Sequence, residues 1–303
     1  MFAGSGKRED RSRRSLTRAC EHDRRPLAII AGGGPLPLTV AEAARGHGRD
    51  VFIIALDGFA DADFSGFSGT RARIGQVAAI DRELRAAGCR EVVLIGTVRR
   101  PKTWRRDVGL AGIWTLVTHL DLLWSGDAAL LARVVRLIER FGYTVRGADE
   151  VVPELLIPVG EFARAAPSPR DRRDIDIGVR AARGIGALDI GQCVAVSRGR
   201  VLAVEAAEGT DRMLERVAIL NRDAGSSRAG VLVKWPQPIQ DLRIDMPTIG
   251  PETVRRAAAA GLAGIAVAGT RVIGSEIGTM VELADESGMF LTALDPECAA
   301  TKS

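Results

Sequence analysis

The chain is poor in the residues that most often build a recognisable site. It has three histidines in 303 residues. None stands in an HxH or HExxH pairing, which argues against a histidine-built metal centre. His22 lies near the start, His47 ends a helical stretch and His119 sits in a Leu/Trp-rich segment. The four cysteines (Cys20, Cys89, Cys193, Cys298) are scattered without a CxxC spacing. That pattern fits a reduced compartment and excludes a structural zinc site built on paired cysteines. Aromatics are 4% of the chain, so the cores must be built from Leu, Val, Ile and Ala. That favours helices packed on sheets over an aromatic-rich β-sandwich. No apolar run reaches the roughly 18 residues needed to span a bilayer. The leader lacks the apolar segment of a secretory signal. The G-x-S-x-G elbow of an α/β-hydrolase is absent, as are the Lys and Ser/Thr of a Walker loop.

Charge is present but unevenly placed. The net charge is +4. Residues 1–25 carry eight Lys/Arg against four Asp/Glu, which leaves 34 of each sign in the rest. The basic pI of 9.1 therefore comes from a leader that reads as disordered. It does not mark a nucleic-acid-binding surface on the folded part.

Order is expected from Pro26. Leu27–Ala31 is a short apolar run ending in Gly32-Gly33-Gly34 and reads as a buried strand. A helix follows over Leu36–His47, with prolines suited to its first turn. Val51–Leu56 is the next strand. Gln76–Ala87 is an amphipathic helix stopped by Gly88. Val92–Ile95 is a third strand, Asp127–Phe141 a helix and Tyr143–Arg146 a fourth strand. The alternation implies a parallel, Rossmann-like sheet over 26–152 with right-handed crossovers. Residues 153–170 hold four of the 13 prolines and read as the interdomain linker. A second α/β domain with a mixed sheet is expected over 171–303. It begins with a helix near Ile175–Gly184, and Cys193–Val196 and Val201–Val204 flank Ser-Arg-Gly-Arg as a hairpin. Helices are expected at Asp211–Ile219, Pro251–Ala260 and Glu276–Glu286. Strands are expected at Gly230–Val233, Gly264–Val267 and Phe290–Leu294.

Three places carry chemistry. Gly32–Gly34 is a strand-to-helix turn whose bare amides suit a phosphate, or simply a tight turn. A dinucleotide fingerprint would want glycine where Pro37 stands. Asp57 ends the second strand, where a nucleotide-binding sheet can hold a ribose, or a solvated Asp can precede Gly58. The strand at Val201–Val204 runs into Glu205, Glu208 and Asp211 around a glycine turn, a plausible hard-cation site. Thr210 is either a contact residue there or the helix N-cap. Downstream, Lys234, Gln240, Arg243, Asp245 and Thr248 alternate with Trp235, Ile239, Ile244 and Met246. Polar groups interleaved with apolar ones on a Pro-rich loop suggest a lined pocket.

Four strings together resemble the LpxI type of UDP-2,3-diacylglucosamine pyrophosphatase. They are Ala28–Pro37 (AIIAGGGPLP), Leu188–Gln192 (LDIGQ), Leu202–Asp211 (LAVEAAEGTD) and Lys234–Gly250, with its DMPTIG ending. The resemblance covers about residues 27–296 in the right order. It implies an enzyme of lipid A biosynthesis in Gram-negative bacteria. The reaction would hydrolyse the diphosphate of UDP-2,3-diacylglucosamine to 2,3-diacylglucosamine 1-phosphate and UMP, using Mg²⁺ (or Mn²⁺). It implies attack on the phosphorus nearer the sugar, and an essential carboxylate at Asp245. On that reading Glu205, Asp211 and Asp245 hold the metal. Gly33, Gly34, Gln76, Thr210, Lys234, Gln240, Arg243 and Thr248 hold substrate, and Trp235, Ile239 and Met246 face the acyl chains. The chain would work at the anionic cytoplasmic face of the inner membrane, without nucleic acid, and as a homodimer if it self-associates. Two other readings stay open. One is an NAD(P)-dependent oxidoreductase using the Rossmann-like half, and the other a non-catalytic nucleotide- or lipid-binding module.

Overall fold

A computed structural model describes residues 25–98, 127–223 and 229–298. Most of the basic leader, His119 and residues 224–228 lie outside the described residues. In the first half, the five strands are β1 Leu27–Ala31, β2 Val51–Leu56, β3 Ser68–Ala72, β4 Glu91–Ile95 and β5 Thr144–Arg146. They pair in the order β3-β2-β1-β4-β5, and every pairing is parallel. Alternate residues of β1 feed opposite cores. Leu27, Ile29 and Ala31 pack with Val40, Ala41 and Ala44 of α1 (Leu36–Gly46). Ala28 packs on the other face with Leu84 of α2 (Val77–Ala86), beside Ile138 of α3 (Asp127–Arg140). Burial on both faces explains why β1 and β2 read as continuous apolar runs. The sheet is Rossmann-like, as expected.

β3 escapes sequence reading for the converse reason. Its sequence is SGTRA, mostly exposed, and it forms on the sheet edge because β2 offers a parallel ladder. Glycine is required here by close approach: a Cβ on Gly69 would run into the Ile53 carbonyl oxygen.

The stretch 153–170 is more ordered than a linker. After the short α4 (Ala148–Val151), Pro153–Leu155 form a 3-10 turn. Ile157 then exchanges backbone hydrogen bonds with Val272 and Thr270. β6 (Gly160–Glu161) pairs antiparallel with the last strand. The prolines bend the path, but the backbone amides between them find partners in the second half, and α5 (Pro169–Ala187) already starts inside this stretch. Ser168 caps α5 through reciprocal bonds with Asp171.

The second half has a six-stranded mixed sheet in the order β6-β13-β11-β9-β7-β8. Its other strands are β7 Cys193–Ser197, β8 Arg200–Val204, β9 Val231–Lys234, β11 Gly264–Ala268 and β13 Phe290–Leu294. β9, β11 and β13 run parallel, while β7 and β8 run against their neighbours. α5 packs on β7 and β9, where Gly178 admits Val233 and Val196. The remaining helices are α6 Thr210–Asp223, α7 Pro251–Ala259 and α8 Ile277–Glu286. A short parallel pair, β10 Thr248–Ile249 with β12 Ile273–Gly274, was not legible in the sequence. The β7–β8 hairpin turns through Arg198 (φ 54°) and Gly199 (φ 77°), the two positive values that a type I′ turn requires. The buried Asp174 of α5 accepts from both turn amides, at 2.9 and 2.7 Å.

The halves meet through packing and charge. Met246 and Ile273 of the second half join the α1-side core of the first. Arg243 reaches Glu139 of α3 at 3.0 Å.

Candidate active site

The glycine turn sits where the strand order reverses, between β1 and β4, at their carboxyl ends. Ligands in open α/β sheets bind at such switch points. The three glycines do different things. A Cβ on Gly32 would lie 2.8 Å from the Gly96 carbonyl carbon and the Thr97 oxygen, so packing against the end of β4 excludes any side chain. Gly33 exchanges backbone bonds with Thr97, at 2.9 and 2.8 Å. Its amide is therefore engaged, which removes the second glycine of a dinucleotide fingerprint. Gly34 alone has open space around it and a φ of 89°. Its amide donates to the Asp61 carboxylate at 2.8 Å. An anionic group thus already sits at the amide that opens α1, as the charge of a helix start favours.

Two further first-half candidates are local supports. Gln76 precedes α2 and its Oε1 accepts from the Arg73 amide at 2.9 Å. Asp57 closes β2 and lies 3.8 Å from Arg71 of β3.

In the second half the polar residues converge. Glu205 follows β8 and is 9% exposed; Lys234 ends β9 and is 7% exposed. Thr210, the first residue of α6, bridges them. Its hydroxyl donates to Glu205 Oε1 at 2.6 Å, and Lys234 Nζ donates to Thr210 Oγ1 at 3.4 Å. Lys234 Nζ also donates to the Thr248 carbonyl at 2.8 Å. Thr210 thus donates its hydroxyl proton to a carboxylate, and it stands as the first residue of α6 rather than before it. The Gln192 amide approaches Glu205 Oε2 at 3.4 Å. The buried ammonium ties the end of the Asp245 loop to the sheet. Burying such groups is costly unless they are paired, and here they pair with one another.

The loop from Trp235 to Pro247 leaves at Lys234 and returns at Thr248, the two residues that the Lys234 ammonium joins. Gln240 Oε1 accepts from the Gln237 amide at 3.1 Å and its Nε2 donates to Gln192 Oε1 at 3.4 Å. Thr248 Oγ1 donates to the Met246 carbonyl at 3.2 Å. Asp241 organises the last turn. Its carbonyl accepts from the Ile244 and Asp245 amides, at 3.1 Å each. Its carboxylate grips Arg243 twice, at 3.0 and 2.7 Å. The Arg243 hydrogen bond, outweighing burial, holds the Asp241 carboxyl below the usual carboxylate range. Asp245 is half-buried and is carried on that stitched turn.

Several residues singled out from the sequence stand apart from the cluster. Asp211 is exposed and faces Arg256 of α7 at 3.5 Å. Glu208 pairs with Arg216. Thr210 at the start of α6 turns inward to Glu205 while the next residue, Asp211, turns outward, because consecutive helix residues point to different sides. Among the described residues, no group of three His, Cys, Asp or Glu side chains converges to hold a metal ion. Glu205, Asp211 and Asp245 therefore do not form a ready-made cage. The Arg243 guanidinium already serves two carboxylates, Asp241 and Glu139. Trp235 is 3% exposed and lies under the Arg183 guanidinium, 5.3 Å from its ring centre. It is core rather than a wall for acyl chains, whereas Ile239 is 54% exposed. Sequence reading missed Asp61 and Asp241. Asp61 belongs to no motif. Asp241, three residues before Ile244 in a polar loop, was legible as a turn-former of the Asx kind.

A Rossmann-like half with a glycine turn, packed against a second α/β half that carries a buried polar cluster, defines a two-domain α/β protein. The model of the LpxI N-terminal domain matches residues 26–155, and that of the LpxI C-terminal domain matches residues 158–292. A relative from Caulobacter vibrioides, named UDP-2,3-diacylglucosamine pyrophosphatase LpxI, is 41% identical over 276 residues, which is 90% of this chain and 99% of the relative. This chain belongs to the LpxI family.

Proposed function

We propose that this chain hydrolyses the diphosphate of UDP-2,3-diacylglucosamine to 2,3-diacylglucosamine 1-phosphate and UMP, a step of lipid A biosynthesis. The observation that carries the reading is the 41% identity over nearly the full length of a pyrophosphatase. The buried Glu205–Thr210–Lys234 cluster beside the Asp245 turn supports it. In the reaction, a water oxygen forms a bond to one phosphorus. The bridging P–O bond breaks, and its electron pair leaves on the other phosphate. Asp245 orients the water and takes up its proton, which a carboxylate within hydrogen-bond reach of the nucleophile can do. Lys234, fixed by Thr210 and Thr248, supplies positive charge under the site. Fixed charge of that kind stabilises phosphoryl oxygens without reorganising at the moment of reaction. Arg243 spends one N–H of each nitrogen on Asp241 and Glu139, so the second N–H of each terminal nitrogen remains to serve a phosphate.

Mg²⁺ (or Mn²⁺) is part of the proposal, but Glu205, Asp211 and Asp245 do not fit a protein-held cage, and no step is assigned to an ion on them. Mg²⁺ is commonly held by one or two carboxylates together with substrate phosphates. The substrate's two acyl chains place the reaction at a membrane surface, here the cytoplasmic face of the inner membrane of a Gram-negative cell. No helix among the described residues is long and apolar enough to cross one.

The test is hydrolysis of detergent-dispersed UDP-2,3-diacylglucosamine with Mg²⁺ and with EDTA, beside Asp245→Ala. The expected result is release of both products, with kcat about 10³-fold lower in a variant that melts like wild type. A wild type inert with metal and substrate present overturns the reading. An active Asp245→Ala variant overturns the role of Asp245.

A further inference from the structure

The turn that carries Asp245 is held from the first half on both of its sides. Before Asp245, Arg243 Nη1 donates to Glu139 Oε1 at 3.0 Å, a bond between residues 104 apart in the chain. The backbone meets there too: a Cβ on Gly147, between β5 and α4, would lie 3.4 Å from the Arg243 Cα. After Asp245, Met246 packs against the α1-side core of the first half. Asp241 makes one unit of the segment between these contacts. Its carboxylate accepts from the Arg243 amide at 3.1 Å and from Arg243 Nε and Nη2 at 3.0 and 2.7 Å. Its carbonyl accepts from the Asp245 amide at 3.1 Å. A shift of Arg243 is therefore passed on to Asp245.

Local structure does not explain Glu139. It stands in the last turn of α3, where the helix end carries partial negative charge and a carboxylate is disfavoured. Its ion pair does little for the fold either. The two side chains are 39% and 42% exposed, and a pair so well solvated adds little to stability. What the pair does is cross from one half to the turn of the other.

We propose that Glu139 is a positioning residue of the reaction: it holds Arg243 from the first half and, through the Asp241 turn, fixes the aim of Asp245. The proposal rests on the hydrolysis and on the role of Asp245 proposed above. A carboxylate that takes a proton from the attacking water must lie within hydrogen-bond reach of it. Asp245 belongs to the second half and the Gly34 amide to the first, so their relative placement depends on contacts that cross between the halves. Glu139 to Arg243 is such a contact, and it ends on the Asp245 turn. Without Glu139, Arg243 keeps both bonds to Asp241 and therefore its charge and place on the turn. Substrate affinity is then kept, while the turn loses its tie to the first half and the aim of Asp245 loosens.

The experiment assays the full chain on detergent-dispersed UDP-2,3-diacylglucosamine as wild type, Glu139→Ala and Glu139→Gln, with thermal melts alongside. Glu139→Ala is also made in the Asp245→Ala background. Glu139→Ala is expected to lower kcat about tenfold, with KM within about threefold and Tm unchanged, since a small misplacement of a reacting group is felt on that scale. Glu139→Gln keeps an acceptor for Arg243 Nη1 and is expected to recover most of the loss. In the Asp245→Ala background, Glu139→Ala is expected to change nothing, because a residue that acts through Asp245 has nothing left to aim. A folded Glu139→Ala with the kcat of an active wild type overturns the positioning role and leaves the hydrolysis reading intact. An equal loss of rate in both backgrounds, or a loss that comes with a lowered Tm, also overturns it, because a merely structural residue behaves so. An active Asp245→Ala variant overturns the role of Asp245 and this proposal with it. A wild type inert with metal and substrate present overturns the hydrolysis reading as well.

Discussion

The glycine turn and the Glu205–Lys234 cluster lie in opposite halves of the chain and are built on opposite principles. At the turn, two of three glycines are explained by packing: Gly32 by the approach of β4 and Gly33 by its ladder to Thr97. Only Gly34 has a free side and a left-handed φ. In the cluster, a carboxylate and an ammonium are buried at real desolvation cost and are bridged by the half-buried Thr210 hydroxyl. Apolar residues of similar size would stabilise the fold at least as well. A glycine-rich turn can therefore exist for structure alone, whereas a buried polar cluster points to chemistry. The eye-catching motif is the weaker functional signal of the two.

The sharpest break of this comparison is Lys234→Met. It keeps the stem and removes the charge, leaving the Glu205–Thr210 pair and the Thr248 carbonyl short of a donor. A loss of about 3 kcal/mol in chemical denaturation is expected, since removing one partner strands a buried charge, with activity lost as well. Unchanged stability would mean that the cluster is not coupled as the distances suggest.

The two outer glycines come next, and they should separate. Gly32→Ala drives a methyl into the Gly96–Thr97 backbone and should cost about 2 kcal/mol, as overpacking does. Gly34→Ala meets no atom but forces a side chain to φ 89°, at about 1 kcal/mol. Thermal melts rank the two, and UMP titration gives the contrast that matters. Gly34→Ala should weaken binding beyond what its melt explains, and Gly32→Ala should not. Equal effects on binding would return all three glycines to a packing role.

The smallest effect lies away from both regions and calibrates them. Glu91 takes Arg146 at 2.7 Å and Arg49 at 2.7 Å. Burial alone would push its carboxyl up, but the hydrogen bonds from Arg146 and Arg49 outweigh it and hold it below its ordinary 4.5. A depressed folded-state value means that the stabilisation is fully present above pH 4.5 and fades as pH falls through the lower value. Urea midpoints at pH 7 and below pH 4 should show this loss, and Glu91→Gln should flatten it. The expected size is about 1 kcal/mol, reduced because Arg146 is partly solvated. An acid limb unchanged in the variant would assign it to other carboxylates.

Much of the fold was legible from residues alone. The apolar runs of β1 and β2 are buried on both faces, so their pattern needed no partner to be recognised. The Ser-Arg-Gly-Arg hairpin was legible because a two-residue turn constrains its own dihedrals. Asp245, Lys234, Thr210 and Glu205 were all named from sequence, Asp245 through a family motif, Glu205 at a strand end, Thr210 at the turn into a helix and Lys234 in the polar, Pro-rich run that follows. What the sequence determined by itself is therefore what local physics fixes: strands, caps, turns and the family that their motifs define. Tertiary structure decided the rest. It made a strand of the polar β3, because a neighbouring ladder supplied the hydrogen bonds. It paired β6, at residues expected to be a linker, with the last strand. It turned Glu205 inward and Asp211 outward, so that three carboxylates near in sequence or motif do not gather as one group. It set Asp61, a residue of no motif, on the amide of Gly34. These outcomes depend on which partner arrives across the sheet or from the other half, and no local pattern carries that information.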